Sequence, residues 1–429
     1  MVCYNKNRTN DRFFKEVQTV RKLVFHIDVN SAFLSWEAAK RVAQGEADLR
    51  LVPSAIGCDR EKRTGVILAK SIPAKKCGVK TGEPVAQALR KCPDLILARP
   101  DFRLYEQNSR AFTAICARYA PVVEKYSIDE CFLDMSGTER LYPDYREIAH
   151  RLRTEIREEL GFTVNIGIST NKLLAKMASD FEKPDRVHTL FPDEIRKKMW
   201  PLPVGDLFSV GAATATKLTI ARIKTIGDLA RTDLAAVKFL VGDKLGEQIH
   251  RYANGIDDSP VLAEAEDAKG YSNSTTLEED ITAEPDAFRV LLALADSVST
   301  RMRADGKTAG CVAVTIRGDN FRDRSHRKKL DEPTDITAEI YRVACRLFSE
   351  LWDRHTPIRL LGVALTQINA GPAAQLSLFP DAHKEKTRKL DQAVDTIRSR
   401  FGHDTIAHGS LHASALEVGK KHRAQMEAE

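Results

Sequence analysis

Runs of apolar residues divide the first part of the chain into strands and helices. A continuous apolar run over 23–29 predicts a buried strand, and an amphipathic pattern over 32–44 predicts a helix directly after it. Shorter apolar runs on either side of charged turns predict two hairpins, one within 51–70 and one within 122–135. The chain therefore begins with strands and helices mixed in close succession.

The same kind of pattern continues toward the middle of the chain. It predicts a helix over 145–160, a strand over 162–168 and a second helix over 172–181. Strands and helices in this mixed order favour an α+β sheet domain. The prolines within 201–203 mark a boundary after it.

The second half of the chain divides into two further units and a tail. Short helices interrupted by glycines are predicted within 205–255, and the acidic, alanine-rich segment 262–268 is typical of a linker. Within 271–368 two long helical patterns alternate with strand patterns, which predicts two helices over one sheet. After 369 a segment rich in Ala, Gly and Pro leads into a charged tail with no predicted element.

Composition and charge narrow the class of protein. The 429 residues are 43% hydrophobic and 29% charged, which is enough apolar mass for packed cores and excludes a wholly disordered chain. The net charge of +6 permits nucleic-acid binding without demonstrating it. Because no apolar run reaches the roughly 18 residues of a membrane span, and 1–21 is polar, we expect a cytoplasmic protein. The eight cysteines form no C-x-x-C pair, so we expect reduced thiols.

Three carboxylates are the strongest candidates for chemistry. Asp28 ends the first predicted strand, and Asp129 and Glu130 stand at the turn of the second hairpin. Grouping acids without cations is costly, because like charges raise one another's pKa values. Oxygen ligands suit Mg²⁺, and two such ions about 4 Å apart can promote an in-line displacement at phosphorus. An acidic hairpin turn is also often simply solvated, so these residues alone leave both interpretations open.

Several motifs resemble those of the Y-family, or translesion, DNA polymerases of bacteria. The segments 26–33 (HIDVNSAF) and 126–134 (YSIDECFLD) are similar to the two palm motifs of that family. Further matches follow in the family's order within 65–71, 74–82 and 165–184. Several separate motifs in the right order make the resemblance specific.

The resemblance spans about residues 22–415 and implies an α+β multidomain fold. A ferredoxin-like palm would carry small fingers, a helix-hairpin-helix thumb and an α/β little-finger domain. The implied domains are an N-terminal extension (1–21), palm (22–50 and 96–200), fingers (51–95), thumb (201–261), linker (262–270), little finger (271–369) and C-terminal tail (370–429).

The implied activity is DNA-directed DNA polymerisation, in which dNTPs are added to a primer opposite damaged template bases by two-metal-ion phosphoryl transfer. Asp28, Asp129 and Glu130 would be the catalytic residues, and with the Val29 carbonyl they would hold two Mg²⁺ ions. Phe33 would be the steric gate, an aromatic ring that excludes the 2′-hydroxyl of a ribonucleotide. The implied nucleotide-binding residues are Ala32, Phe33, Ser71, Lys75 and Lys183.

Two places depart from the commoner family pattern. The fingers motif usually reads Tyr-x-Ala-Arg, whereas this chain has Ile72 and Lys75 at those positions. An alkyl group and a point charge therefore replace a phenol and a bidentate guanidinium, which predicts a weaker phosphate grip and slower catalysis. In the thumb, Ser209 replaces the first glycine of the usual Gly-x-Gly turn. Backbone N–H groups of Val210 and Gly211 in that turn are implied to bind a DNA phosphate.

Two further features imply macromolecular partners. Basic residues around the turn at 318–320 imply a strand pair that follows the DNA backbone. The implied DNA-binding residues of this unit are Ser274, Thr275, Arg317, Arg322, Arg324, Arg327 and Lys328. The tail contains a peptide similar to the bacterial sliding-clamp motif, formed by Gln375, Leu376, Ser377, Leu378 and Phe379.

Two other functions stay open from the sequence. Palm-like domains with acidic turns also host nucleotidyl cyclase chemistry, and the altered fingers motif is compatible with a catalytically weak or inactive, clamp-bound DNA-repair scaffold. The helix-hairpin-helix, the basic third unit and the clamp peptide favour the polymerase. Its expected partners are primer–template DNA, dNTPs and the sliding clamp, with no membrane partner, and we expect a monomer.

Overall fold

Two compact units make up the chain in the computed structural model. One is formed by 22–35 and 108–264, and the other by 36–107 and the described residues from 266 onward. The structure describes residues 22–57, 65–264, 266–370, 382–402, 405–406 and 408–409.

Both units contain strands and helices. The strands are β1 (Val24–Val29), β2 (Ser54–Gly57), β3 (Ile67–Lys70), β4 (Ile96–Ala98), β5 (Val122–Lys125), β6 (Glu130–Asp134), β7 (Val164–Ser169), β8 (Val187–Thr189), β9 (Gly270–Ile281), β10 (Lys307–Gly318), β11 (Asp323–Thr334) and β12 (Ile358–Ala370). The helices are α1 (Ala32–Ala43), α2 (Ile72–Lys76), α3 (Val85–Lys91), α4 (Phe102–Ala117), α5 (Tyr145–Leu160), α6 (Lys172–Ser179), α7 (Ile195–Lys198), α8 (Ala212–Ile220), α9 (Ile226–Arg231), α10 (Leu234–Val241), α11 (Asp243–Ala253), α12 (Glu284–Ala304), α13 (Thr337–Leu351) and α14 (Ala382–Phe401).

The sheet of the first unit has the order β5-β6-β1-β7-β8, with β1 at its centre. β1 pairs antiparallel with both β6 and β7, and nearly all residues of β1 and β7 are buried, as the continuous apolar runs predicted. Helices α5 and α6 pack against β7. A Cβ atom at Gly167 would lie 1.9 Å from the carbonyl oxygen of Ala175, so this close approach of α6 to the sheet requires glycine.

Local sequence signals explain where the helices of this unit begin and end. The Asp144 carboxylate accepts the first N–H groups of α5, and Gly161 ends the helix at φ 74°. The Asn171 side chain caps α6 in the same way. The predicted helix over 145–160 is confirmed residue for residue.

Four short helices, α8 to α11, form the last part of the first unit. The short helices are confirmed, but of the predicted glycine breaks only Gly242, which adopts a φ of 91° between α10 and α11, separates two of them. Gly211 precedes α8 and Gly227 lies within α9. Their shared core includes Leu218, Ile226, Leu229, Val237 and Ile249.

The second unit contains two sheets. β3-β2-β4 is a small sheet with its own apolar core beside α2 and α3. β11-β10-β12-β9 is fully antiparallel, and α12 and α13 pack on one of its faces. The prediction of two helices over one sheet within 271–368 is confirmed.

Several elements were not predicted from the sequence, among them α3, β4, α4, β8 and, in the part expected to be a tail, α14. The segment after 369 was expected to be a charged tail, but 382–401 forms the helix α14. Ion pairs join it to α12 and to α13, so the hydrophobic pattern gave no signal for this docking. The described cysteines are free thiols, as expected. Among the helices that the structure describes, none is long and apolar enough to cross a membrane.

Candidate active site

Adjacent strands β1 and β6 bring two of the predicted carboxylates together. Asp28 and Glu130 are register partners across this antiparallel pair, so their side chains project from the same face of the sheet. Asp129 comes directly before β6, and its carbonyl accepts the N–H of Val29 at 3.0 Å. Segments far apart in the sequence thus place Asp28, Val29, Asp129 and Glu130 at one end of a strand pair.

Asp28 is held in a buried and charged setting. Burial raises its pKa to about 7, with the neighbouring Glu130 acting in the same direction and Lys183 opposing both. The Nζ atom of Lys183 lies 3.1 Å from Asp28 Oδ1 and 2.8 Å from Asp180 Oδ1. Burial alone would lower the pKa of Lys183, but its carboxylate neighbours raise it above its usual value, so this lysine stays charged.

A second lysine, Lys176, was not predicted as a site residue. Its Nζ lies 2.7 Å from Glu130 Oε1 and 5.3 Å from the centre of the Tyr126 ring. On the other side of the same carboxylate, His26 Nε2 lies 3.9 Å from Glu130 Oε2, and burial and then Lys176 lower the pKa of His26. The available sequence signal was the spacing of Lys172 and Lys176, which share one face of α6.

The carboxylates suit a divalent cation by their chemistry. All donors are hard oxygens, and Asp28 and Glu130 are two partly buried acids whose mutual repulsion a divalent cation would relieve. Asp129 is engaged locally, since Ser127 Oγ donates to its Oδ1 at 2.7 Å. Within the described part of the chain, no three His, Cys, Asp or Glu side chains are grouped closely enough to hold a metal ion in this arrangement. The donor set fits a metal, while lysines hold Asp28 and Glu130 in this structure.

The first turn of α1 follows β1 directly and carries the predicted steric gate. Ala32 and Leu34 are buried, at 6% and 1% exposure, whereas Phe33 between them is half-buried. A purely structural aromatic in this turn would be buried like its neighbours. Its partial exposure beside β1 is consistent with a ring that faces a ligand.

The predicted fingers residues lie in the second unit. Ser71 caps α2: its hydroxyl accepts the N–H of Ala74 at 3.1 Å and donates to the carbonyl of Val52 at 2.8 Å. The structure therefore shows a folding role for Ser71, and its contact with nucleotide stays a prediction. Lys75 is exposed on α2. Burial lowers the pKa of Lys70, and the positive charge of Lys75 lowers it further. Two cations, one at the end of β3 and one on α2, thus lie near each other.

The predicted phosphate-binding turn precedes α8. Ser209 adopts a φ of 74°, the left-handed conformation that glycine favours, so the turn keeps its shape despite the substitution. The N–H of Val210 already donates to the carbonyl of Leu207 at 3.0 Å. Gly211 is the N-cap of α8 and provides no side-chain cap, which leaves the first turn of the helix as the place for an anion.

Strand register divides the basic residues of β11 between the two faces of the four-stranded sheet. Val312, Val314 and Ile316 of β10 are buried in the core with α12 and α13. Residues directly opposite in an antiparallel pair project from the same face. Arg324 is opposite Ile316 and Lys328 is opposite Val312, so both lie on the helix-packed face.

The other face of this sheet lies away from α12 and α13, and we call it the open face. Arg327 is opposite Ala313, and Arg317 forms an ion pair with Asp323 on the same face. Arg324, in contrast, reaches Asp353 at 2.9 Å on the helix-packed face. Of the predicted DNA-binding residues, Ser274, Arg317 and Arg327 lie on the open face, Arg322 lies in the exposed turn before β11, and Thr275, Arg324 and Lys328 lie on the helix-packed face. The predicted clamp residues Gln375 to Phe379 lie outside the described residues.

Family models match three parts of the chain. Residues 27–180 match the impB/mucB/samB family, and residues 268–378 match the C-terminal domain of the same family. Residues 205–257 match a model described as the thumb domain of DNA polymerase-iota. These segments contain the carboxylates, the basic sheet and the turn before α8.

Curated proteins and solved structures are similar over most of the chain. DNA polymerase IV of Clostridium acetobutylicum is 43% identical over 391 residues, covering 91% of this chain and 98% of that protein. DNA polymerase IV of Clostridium kluyveri is 36% identical over 401 residues, with the same two coverages. The fold is similar to that of a Y-family DNA polymerase chimera, with a TM-score of 0.70 and 21% identity over 81% of this chain and 100% of the chimera.

Proposed function

This chain belongs to the impB/mucB/samB family of Y-family DNA polymerases, and from that membership we propose that it extends primers opposite damaged template bases with two Mg²⁺ ions. DNA-directed DNA polymerisation of the translesion type is the family's activity. The observation that carries the metal assignment is the register pairing of Asp28 with Glu130 next to Asp129. The cyclase interpretation is set aside, because relatives named DNA polymerase IV match over nearly their whole length.

Asp28, Asp129, Glu130 and the Val29 carbonyl would hold the metal ions. When bound, two Mg²⁺ ions supply activation of the primer 3′-hydroxyl and stabilisation of the leaving pyrophosphate. The protein's own contribution is to keep the carboxylates at the ends of β1 and β6, where the paired backbone prevents them from drifting apart. A preorganised anionic cluster needs little rearrangement during the reaction.

Lysines balance charge at this site. Lys183, which is charged and pairs with Asp28, would interact with the triphosphate of the incoming nucleotide. Lys176 pairs with Glu130 and balances part of the negative charge of this cluster. Lys75 on α2 would contact the triphosphate as a point charge, and Lys70 at the end of β3 adds a second cation nearby.

Primer extension on a template with one defined damaged base tests this function. We expect insertion opposite and beyond the lesion that requires Mg²⁺, dNTPs and a primer terminus. Incubation with ATP in the absence of DNA should give no cyclic product. Extension that stops before the lesion in every condition, with normal extension on undamaged template, would contradict the translesion assignment.

The open face of the four-stranded sheet is proposed to follow the DNA backbone, and the face-specific placement gives a matched pair of variants. Arg327→Ala should weaken DNA binding for all sequences and lower the slope of log affinity against log salt by about 1, because one phosphate contact is lost. Arg324→Ala, on the helix-packed face of the same strand, should leave that slope unchanged. Fluorescence anisotropy at several salt concentrations measures both. Equal losses for the two variants would show that the sheet faces do not determine DNA contact.

We also propose that Gln375, Leu376, Leu378 and Phe379 dock into the bacterial sliding clamp. Tethering raises the local concentration of the enzyme at the primer terminus without changing the chemical step. Deletion of 375–379 should therefore abolish clamp stimulation of primer extension and leave clamp-free insertion of a single nucleotide unchanged. The control Ser377→Ala should keep full stimulation. A deletion variant that is still fully stimulated would place the clamp contact elsewhere.

A further inference from the structure

Helix α14 is attached to its own unit by its polar face. Arg303 of α12, only 6% exposed, donates to Asp395 at 2.6 Å and lies 3.4 Å from Asp391. A second ion pair has the arginine on α14: Arg398, also 6% exposed, lies 3.0 Å from Asp296 of α12. Buried charges are stable only when they are paired in good geometry, so these contacts fix one rotation of α14 about its axis.

Additional hydrogen bonds tie the same face of α14 to the start of α13. Asp391 Oδ2 accepts the N–H of Thr337, the first residue of α13, at 2.8 Å. Arg388 Nε donates to Asp335 Oδ1, also at 2.8 Å. The Asp391 carboxylate of α14 thus caps the N-terminus of α13. The helix is therefore docked through charged side chains along its length.

An apolar stripe runs along a different side of α14. Leu390, Ile397 and Phe401 are 63%, 36% and 70% exposed, and Val394 lies between them along the helix. The spacing i, i+4, i+7 and i+11 places these four side chains on one face. An ordinary amphipathic helix buries its apolar face and exposes its polar face. α14 does the opposite, which indicates that the apolar stripe serves a contact outside this unit.

The charges beside the apolar stripe are basic. At 100° per residue, Lys386, Lys389 and Arg400 lie on the side of the stripe away from the docked face, and all three are exposed. Asp391 and Asp395 are used in docking. We call Lys386, Lys389 and Arg400 the basic flank. The remaining acid of the helix, Glu385, pairs with its neighbours Arg388 and Lys389.

The apolar stripe and the basic flank together indicate which kind of partner would bind α14. A second copy of α14 packed antiparallel would bring Lys386 of one copy near Arg400 of the other, which like-charge repulsion disfavours. A DNA backbone would leave the apolar stripe uncovered. We propose that the apolar stripe and the basic flank bind an amphipathic helix of a partner protein, with apolar residues on its contact face and acidic residues beside them.

A labelled synthetic peptide tests the proposal on the full chain. The probe is a 22-residue helix with Leu at i, i+4, i+7 and i+11 and Glu beside that face. Two control peptides carry Lys in place of Glu, or the same residues in an order that destroys the amphipathic face. We expect the acidic probe to bind at least about tenfold more tightly than either control in fluorescence anisotropy.

Variants of α14 assign the binding to the proposed surface. Leu390→Gln with Phe401→Gln should weaken binding of the acidic probe by at least about tenfold, since truncated apolar anchors typically cost that much. Lys386→Glu with Lys389→Glu should reverse the preference toward the Lys peptide. The control Gln392→Ala on the same helix should behave as wild type. All variants should keep their thermal melting temperature and their primer-extension rate, because the altered side chains are exposed and outside the proposed polymerase site.

Other occupants give different results. Dimerisation in sedimentation equilibrium that the Leu390→Gln and Phe401→Gln variant loses would overturn the proposal in favour of a second copy. Binding to phosphatidylcholine–phosphatidylglycerol vesicles with the same mutational sensitivity, and no peptide preference, would overturn it in favour of a lipid surface. Equal affinity for all three peptides would also overturn it.

Discussion

Replacing Asp129 by Asn together with Glu130 by Gln should lower the rate of single-nucleotide insertion by about a thousandfold or more, as expected when groups that stabilise developing charge are removed. The amides keep the size of the side chains but remove the negative charge that a divalent cation needs. Affinity for primer–template DNA should stay within about twofold, because most contacts to DNA are made to phosphates away from the reacting atoms. Rapid-quench insertion and fluorescence anisotropy measure the two quantities.

The matched control is Asp134→Asn, at the far end of the same strand. Asp134 Oδ1 accepts the N–H of Ser136 at 2.9 Å, and an Asn oxygen can accept it equally, so insertion should remain near the wild-type rate. Titration of the metal-free proteins with Mn²⁺, followed by electron paramagnetic resonance, should show weaker binding in the double variant only. If the double variant keeps more than about a tenth of the insertion rate, the metal ligands are other residues.

The sequence predicted best the strands and helices whose apolar pattern is continuous over the whole element. The apolar run over 23–29 predicted a buried strand, and this strand is the centre of the five-stranded sheet. The acidic turn before β6 was recognised from its motif, but its pairing with β1 required the resemblance, because the two segments are far apart in the chain. Helix α5 agrees with the range predicted from its apolar pattern, and the structure shows a capping acid and a terminal glycine at its two ends.

Contacts that depend on the packing of one element against another could not be predicted. Lys176 reaches Glu130 only because α6 lies close to β7 at Gly167. Arg324 and Arg327 belong to the same basic run, yet the two-residue period of a strand places them on opposite faces of the sheet. The docking of α14 rests on ion pairs, and the apolar period of this helix marks its exposed face rather than the docked one.

Phe33→Ala should raise ribonucleotide incorporation by orders of magnitude while deoxyribonucleotide incorporation falls only modestly. A ribonucleotide differs by one hydroxyl, and a merely apolar pocket rejects an added hydroxyl by only about a hundredfold. Stronger rejection needs a rigid group beneath C2′. Phe33 is suited to this role because the first turn of α1 holds its backbone directly after β1, while its ring stays half-buried between buried neighbours.

The matched control is Leu34→Ala, one residue further along the same turn. Leu34 is only 1% exposed, so its truncation should cost about 2–5 kcal/mol of folding free energy and lower incorporation of both sugars together. The deciding quantity is the ratio of kcat/KM for dCTP to that for CTP, measured on variants that melt cooperatively. In Phe33→Ala this ratio should collapse, whereas in Leu34→Ala it should stay at the wild-type value. If Phe33 were instead a core residue, this ratio would stay at the wild-type value in both variants. A cavity beneath the helix would weaken the whole site without distinguishing one sugar from the other.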